Sequence, residues 1–199
     1  MIRGRLAPLI AALLICGAAS AEDAQGRYAV KGMGQMPCSS FTDELEAQSE
    51  EARRALAWIA GYLTAINAES DRTFDIVSWQ SEGMIARALD ARCRSNPGEP
   101  LAAAVEAMVA TMRGDRITEE DELTTVRAAG RERVLYGSVI RRLQASLEAR
   151  GEDVVVSGRF DDATRGGLRR FQRDEGLAVT GFPDSLTLFR LFGGPDPAR

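Results

Sequence analysis

Residues 141–191 read RRLQASLEARGEDVVVSGRFDDATRGGLRRFQRDEGLAVTGFPDSLTLFRL, and this stretch decides the fold. Within it, Gly158-x-x-Asp161-x-x-Thr164 recurs as Gly181-x-x-Asp184-x-x-Thr187. In each copy the glycine suits a turn conformation that a β-carbon would penalise. The aspartate three residues on suits an N-cap, its carboxylate accepting a backbone N–H of the first helical turn. The threonine then falls at N3, and Leu168 and Leu191 follow on the two helices. Ahead of both, Leu135, Val139, Ile140, Leu143 and Leu147 recur at helical spacing and predict a helix over about 135–149. The reading is a three-helix unit with Phe160, Leu168, Phe171, Leu177, Leu186 and Phe189 as its core.

A set of residues in this stretch also has a family likeness. Leu143-Gln144, Gly158-Arg159-Phe160, Thr164, Phe171-Gln172, Gly176-Leu177, Gly181, Asp184, Thr187 and Leu191 keep a characteristic order and spacing. Residues 134–192 resemble, in these positions, the small peptidoglycan-binding domain found at the ends of many bacterial cell-wall proteins. The resemblance implies a three-helix fold and peptidoglycan as the partner. Two positions depart from it. Ser157 stands where an acidic residue usually precedes the turn glycine, and Gly167 stands where a small alanine is usual. Gly166-Gly167 inside the second helix costs about 1 kcal/mol per glycine relative to alanine.

The candidate ligand contacts are Arg159, Asp162, Arg165 and Arg169, at the first capped turn and on the helix it opens. Guanidinium groups pair with the planar carboxylates of stem peptides in a bidentate fork. Backbone N–H groups at a helix start also favour an anion. The competing reading is a solvated arginine-rich face, because arginine is the default base here and Lys31 is the single lysine.

The front of the chain speaks to compartment. Arg3 and Arg5 precede an apolar run from Leu9 to Ile15, and Ala19-Ser20-Ala21 supplies a small-residue cleavage site. Residues 1–21 therefore read as a secretory signal peptide, too short in its apolar part to span a bilayer. Cleavage after Ala21 removes Arg3 and Arg5 and shifts the net charge from −4 to −6. Cys16 faintly resembles a lipoprotein acylation site, but Ile15 before it is large where a small residue is normal. The expectation is a periplasmic protein without stable membrane insertion.

Two cysteines then remain, Cys38 and Cys93, and an even pair in an exported chain reads as a disulfide. The chain has no histidine. That excludes zinc sites of the usual His/Cys kinds and catalysis by a Ser-His-Asp or Cys-His set. No metal, cofactor or nucleic-acid partner is expected.

Between leader and C-terminal unit, residues 22–35 read as a flexible lead-in. Ala52, Ala55, Leu56, Ile59, Leu63 and Ile66 form a helical stripe flanked by Trp58 and Tyr62. Ile85, Leu89 and Cys93 step along a second helix over about 78–93. Pro100 suits the first position of a third, carrying Leu101, Ala104, Val105, Met108, Val109 and Met112. Cys38, the run Trp58-Ile59-Ala60-Gly61-Tyr62-Leu63, Asp75, Cys93 and the proline turn resemble small periplasmic proteins of the HdeA acid-stress chaperone kind. They resemble equally the related immunity proteins that block secreted wall amidases. This covers residues 36–112.

Residues 113–133 are charged and read as a solvated linker, with Arg113-Gly114-Asp115 a chance triplet rather than an adhesion motif. Residues 193–199 read as a frayed tail. The fold expectation is all-α: a disulfide-stapled helical domain, then the three-helix unit. The functional expectation is an exported, non-catalytic, wall-associated protein that binds peptidoglycan through its C-terminal domain and has a possible periplasmic protein partner for the other. The alternative is an acid-stress chaperone or amidase inhibitor tethered to the wall. An acid switch would rest on the 29 carboxylates and fall near pH 3–5. Glu50, Glu51, Glu69 and Glu82 could supply a glycosidase-like carboxylate pair, but none lies in a catalytic motif.

Overall fold

The computed structural model describes residues 23, 25 and 27–193. The expected leader and cleavage site, Cys16 and most of the expected frayed tail lie outside the described residues. In the segment Met1–Val30, Asp23 accepts the backbone N–H groups of Gln25 and Arg27. Lys31–Arg199 forms a second unit.

Serine starts two of its helices. Ser49 accepts the Ala52 N–H at 3.0 Å to open α2 (Glu50–Glu69), with Glu50 and Glu51 favourably placed in the first turn. Ser81 does the same for α3 (Glu82–Ser95), so this helix begins four residues later than its apolar pattern predicts. These two pack with α1 (Cys38–Ala47) and α4 (Leu101–Met112) around Phe41, Leu89, Leu101 and Val105, all fully buried. Cys38, the first residue of α1, is bonded to Cys93 in the last turn of α3, and both are fully buried. Among the described residues no helix is long and apolar enough to cross a membrane.

The segment expected to be a solvated linker is structured. Arg113–Asp115 is a 3-10 turn, and Ile117 bridges Asp75 in both directions across their backbones. An antiparallel hairpin follows, β1 (Leu123–Ala128) paired with β2 (Arg131–Tyr136). Its two-residue turn is Ala129-Gly130, both at positive φ (51° and 69°), as the right-handed twist of a tight hairpin requires. Val126, Ala128 and Leu135 face inward, while Arg127 and Glu132 pair on the outer face at 3.1 Å. The consecutive charges Arg131-Glu132-Arg133 hid these strands. The protein is mostly helical with a two-stranded sheet, not all-α.

Three helices complete the chain: α5 (Gly137–Glu148), α6 (Asp162–Asp174) and α7 (Ser185–Leu191). The helix expected over 135–149 begins only at Gly137, because Leu135 belongs to β2. Their core holds Ile140, Leu143, Leu147, Leu168, Phe171, Leu188 and Leu191, with Phe160, Leu177 and Phe189 half-buried around it. Leu186 was expected there and is instead 47% exposed. With Asp184 as N-cap, the inward face of this short helix carries Thr187, Leu188 and Leu191.

The two cores are not independent. Trp79 comes from the loop before α3, yet it is buried in the second core and meets Phe192 edge to face at 5.4 Å. Arg133 donates 2.8 Å hydrogen bonds to the carbonyls of both Trp79 and Pro183. Lys31–Arg199 is thus one compact unit with two hydrophobic clusters, in place of two domains on a mobile linker.

Candidate functional site

Two buried glutamines organise the C-terminal turns. Gln144 on α5 is fully buried, and its Oε1 accepts the N–H groups of Ser157 and Gly158, each at 2.9 Å. Its Nε2 donates to the Arg159 carbonyl at 2.8 Å and to Thr164 Oγ1 at 2.9 Å. Gln172 on α6 repeats the pattern, accepting from Thr180 and Gly181 and donating to the Phe182 carbonyl and Thr187 Oγ1. Each amide therefore satisfies a turn that would otherwise leave buried polar groups unpaired. Gly158 and Gly181 both sit at positive φ, 78° and 67°. Both glutamines belong to the family-like set of residues, but their role in holding the turns is visible only in the structure. The matching runs Ile140-Arg141-Arg142-Leu143-Gln144 and Leu168-Arg169-Arg170-Phe171-Gln172 were the available signal.

The helix starts follow the expected chemistry. Asp161 accepts the Thr164 N–H at 2.8 Å, and Asp184 accepts the Thr187 N–H at 2.8 Å. Asp161 also accepts the Thr164 hydroxyl at 2.6 Å, and these Thr164 hydrogen bonds hold its carboxyl below the usual carboxylate range. The first turn of α6 therefore already carries its own anion.

The four candidate contacts lie along one end of the unit. Asp162, Arg165 and Arg169 share a face of α6, and Arg159 precedes its N-cap in the exposed turn. They are not equivalent. Arg165 is ion-paired with Asp162, so these two charges largely offset each other. Arg169 lies across the second turn, its Cγ and Nε 3.1 Å from where a Gly181 β-carbon would stand. Arg141 crosses Gly158 in the same way, and sequence reasoning had not singled it out. Arg159 is exposed and forms no ion pair among the described residues. Arg169 is likewise exposed and outside any ion pair among the described residues, while the charge of Arg159 acts on the neighbouring Asp161 carboxyl.

A family model for a putative peptidoglycan binding domain matches residues 136–191. The match begins at the last residue of β2 and runs through α7, so it takes in both glutamine-held turns. No curated protein and no solved structure matches the chain.

Proposed function

We propose that this is an exported, non-catalytic, wall-associated protein that binds peptidoglycan through its C-terminal helices. The observation that carries the reading is the family match over α5–α7. Arg159, with Asp162, Arg165 and Arg169 on the adjoining face, supplies the contact surface, the guanidinium groups taking stem-peptide carboxylates. Binding without cleavage is supported by the absence of histidine, the usual base or zinc ligand of wall hydrolases, and by the lack of a catalytic motif around the carboxylates. The leader-like first 21 residues and the disulfide fit the periplasm.

Sedimentation of the full protein with purified peptidoglycan tests this. Replacing Arg159 and Arg165 by alanine is expected to weaken co-sedimentation about tenfold, the order of one lost charge-assisted hydrogen bond. Equal pelleting of the double variant would remove these arginines from the site. Failure of the parent protein to pellet would end the wall-binding reading, and release of soluble wall fragments would end the non-catalytic one.

A second reading, a chaperone or amidase inhibitor held at the wall, is favoured by one feature of the N-terminal helices. A cleft of about 220 Å³ between α2 and α3 is lined by Leu56, Ile59, Leu63, Val77 and Ile85. Its apolar lining would suit a side chain of a protein partner. Protection of unfolded client proteins or inhibition of a wall amidase by the purified protein would support this role, and absence of both would dismiss it.

A further inference from the structure

A larger cleft, about 550 Å³, opens where the segment 114–121 faces the first turns of α5, with Ser78 and Trp79 at its side. Its size is within the range that holds a small ligand. Much of its lining lies outside the residues matched by the family model.

Three features define what the cleft can recognise. Thr118, Glu119 and Glu120 are exposed, and their backbone N–H and carbonyl groups form no hydrogen bond with the described protein. The chain bends at Glu119, and these open backbone groups can hydrogen-bond to a ligand. On the opposite wall Arg142 is neutralised by Asp115 at 3.1 Å. Arg141 is only loosely paired, 3.6 Å from Asp121, and half of its side chain is exposed. Glu119 and Glu120 make no ion pair among the described residues. Asp121 is committed elsewhere, accepting the Ser138 N–H at 2.6 Å.

We propose that this cleft is a binding site for a short peptide carrying both a free carboxylate and a free ammonium group. Arg141 takes the carboxylate, Glu119 and Glu120 take the ammonium, and the open backbone groups of 118–120 hydrogen-bond to the peptide. Neutral sugars and fully capped peptides lack the charges that these groups require. Free peptides and the stem peptides of the wall share this chemistry. The site stands whether or not the arginine face of α6 binds peptidoglycan.

The test is a ¹⁵N NMR titration of the full protein with three probes: trialanine, N-acetyl-trialanine amide, and soluble muropeptides released from purified wall. Trialanine or muropeptide is expected to shift the amides of residues 118–121 and the Trp79 indole N–H, and the capped peptide is expected to leave them unmoved. A response to muropeptide alone assigns the site to the wall, and a response to both probes assigns it to peptides generally. The E119Q/E120Q protein and, separately, Arg141→Met, which keeps the stem over Gly158, are each expected to weaken binding at least tenfold. Arg53→Ala, at the exposed start of α2, is expected to leave it unchanged. Overlay of the remaining amide spectrum confirms that each variant is folded. No shift with any probe, equal shifts with the capped peptide, or shifts confined to α6 would overturn the proposal. Loss of sedimentation with intact wall, with trialanine binding retained, would remove the proposed function and leave this site standing.

Discussion

Gln144 and Gln172 perform the same task in successive turns, each buried amide accepting two backbone N–H groups and donating to a carbonyl and a threonine hydroxyl. The correspondence extends three residues back. Arg141 crosses Gly158 and Arg169 crosses Gly181, so the unit is built from two copies of one helix–turn–helix device. The two arginines differ in setting: Arg141 lines the cleft, and Arg169 is one of the candidate contacts on α6.

Replacing either glutamine by leucine removes both halves of its clamp. Ser157 and Thr180 keep bonds to the Val155 and Ala178 carbonyls, but the Gly158 and Gly181 N–H groups have no other partner among the described residues, and each such buried group costs about 1–3 kcal/mol. Gln144→Leu and Gln172→Leu are each expected to destabilise the C-terminal core by about 3 kcal/mol. Thermal or urea unfolding measures it. A loss under 1 kcal/mol for either would mean that water substitutes for the amide.

The paired glycines in α6 are expected to respond in opposite ways. A β-carbon at Gly166 would meet only the Arg170 guanidinium, at 3.5 Å. Gly166→Ala is therefore expected to stabilise by about 1 kcal/mol through helix propensity. At Gly167 the added carbon would lie 3.2 Å from Val154 Cγ1 and 3.3 Å from Leu147 Cδ1, both in the core. There the repacking cost offsets the propensity gain, and Gly167→Ala is expected to be neutral or destabilising. Denaturation midpoints that rise equally for both would show that the core yields freely at Val154.

The capped helices were legible because an aspartate, a glycine and a threonine each have a local reason for their place, independent of the rest of the fold. Leu186 was misplaced because an apolar residue next to a cap looks like core until the helix phase is known. The hairpin was missed because its inward residues are few, Val126, Ala128 and Leu135, and the consecutive charges Arg131-Glu132-Arg133 at its turn read as solvated linker. Trp79 was not placed at all. Its burial depends on where the loop before α3 meets Phe192, a long-range relationship that no local pattern carries. The candidate contacts were legible as arginines on one face, but the neutralisation of Arg165 by Asp162 appeared only in the geometry.

Trp79 and the disulfide are expected to separate the two cores. The bond between Cys38 and Cys93 spans a sequence separation of 55 residues, worth roughly 4 kcal/mol in the chain-entropy model. Its reduction is expected to lower hydrogen-exchange protection in α1–α4 first and to leave α5–α7 protected. Trp79→Ala is expected to do the reverse. Although Trp79 precedes α3 in sequence, its ring is packed in the second core, and truncating it costs about 3–5 kcal/mol there. Uniform loss of protection in both experiments would show that the clusters unfold together.

Acid should loosen the first turn through Asp161. Thr164 Oγ1 accepts from Gln144 Nε2 and donates to Asp161, so the carboxylate ends a chain that begins at the buried clamp. The side-chain and backbone hydrogen bonds from Thr164 lower the Asp161 pKa below its ordinary 3.8. A carboxyl with a depressed folded pKa stabilises fully above its unfolded value, and that stability is lost as pH falls through the folded one. The protein is therefore expected to hold constant stability from this source above about pH 5 and to lose it progressively below about pH 4. Asp161→Asn keeps an acceptor for the Thr164 N–H but has no charge to titrate. Its unfolding free energy at pH 7 is expected to fall by about 1 kcal/mol or less, and its slope between pH 2 and 4 is expected to be shallower than that of the parent. Urea unfolding across that range, parent against variant, measures both. Parallel slopes would mean that Asp161 titrates alike in the folded and unfolded chains, and that the cap owes nothing to its charge.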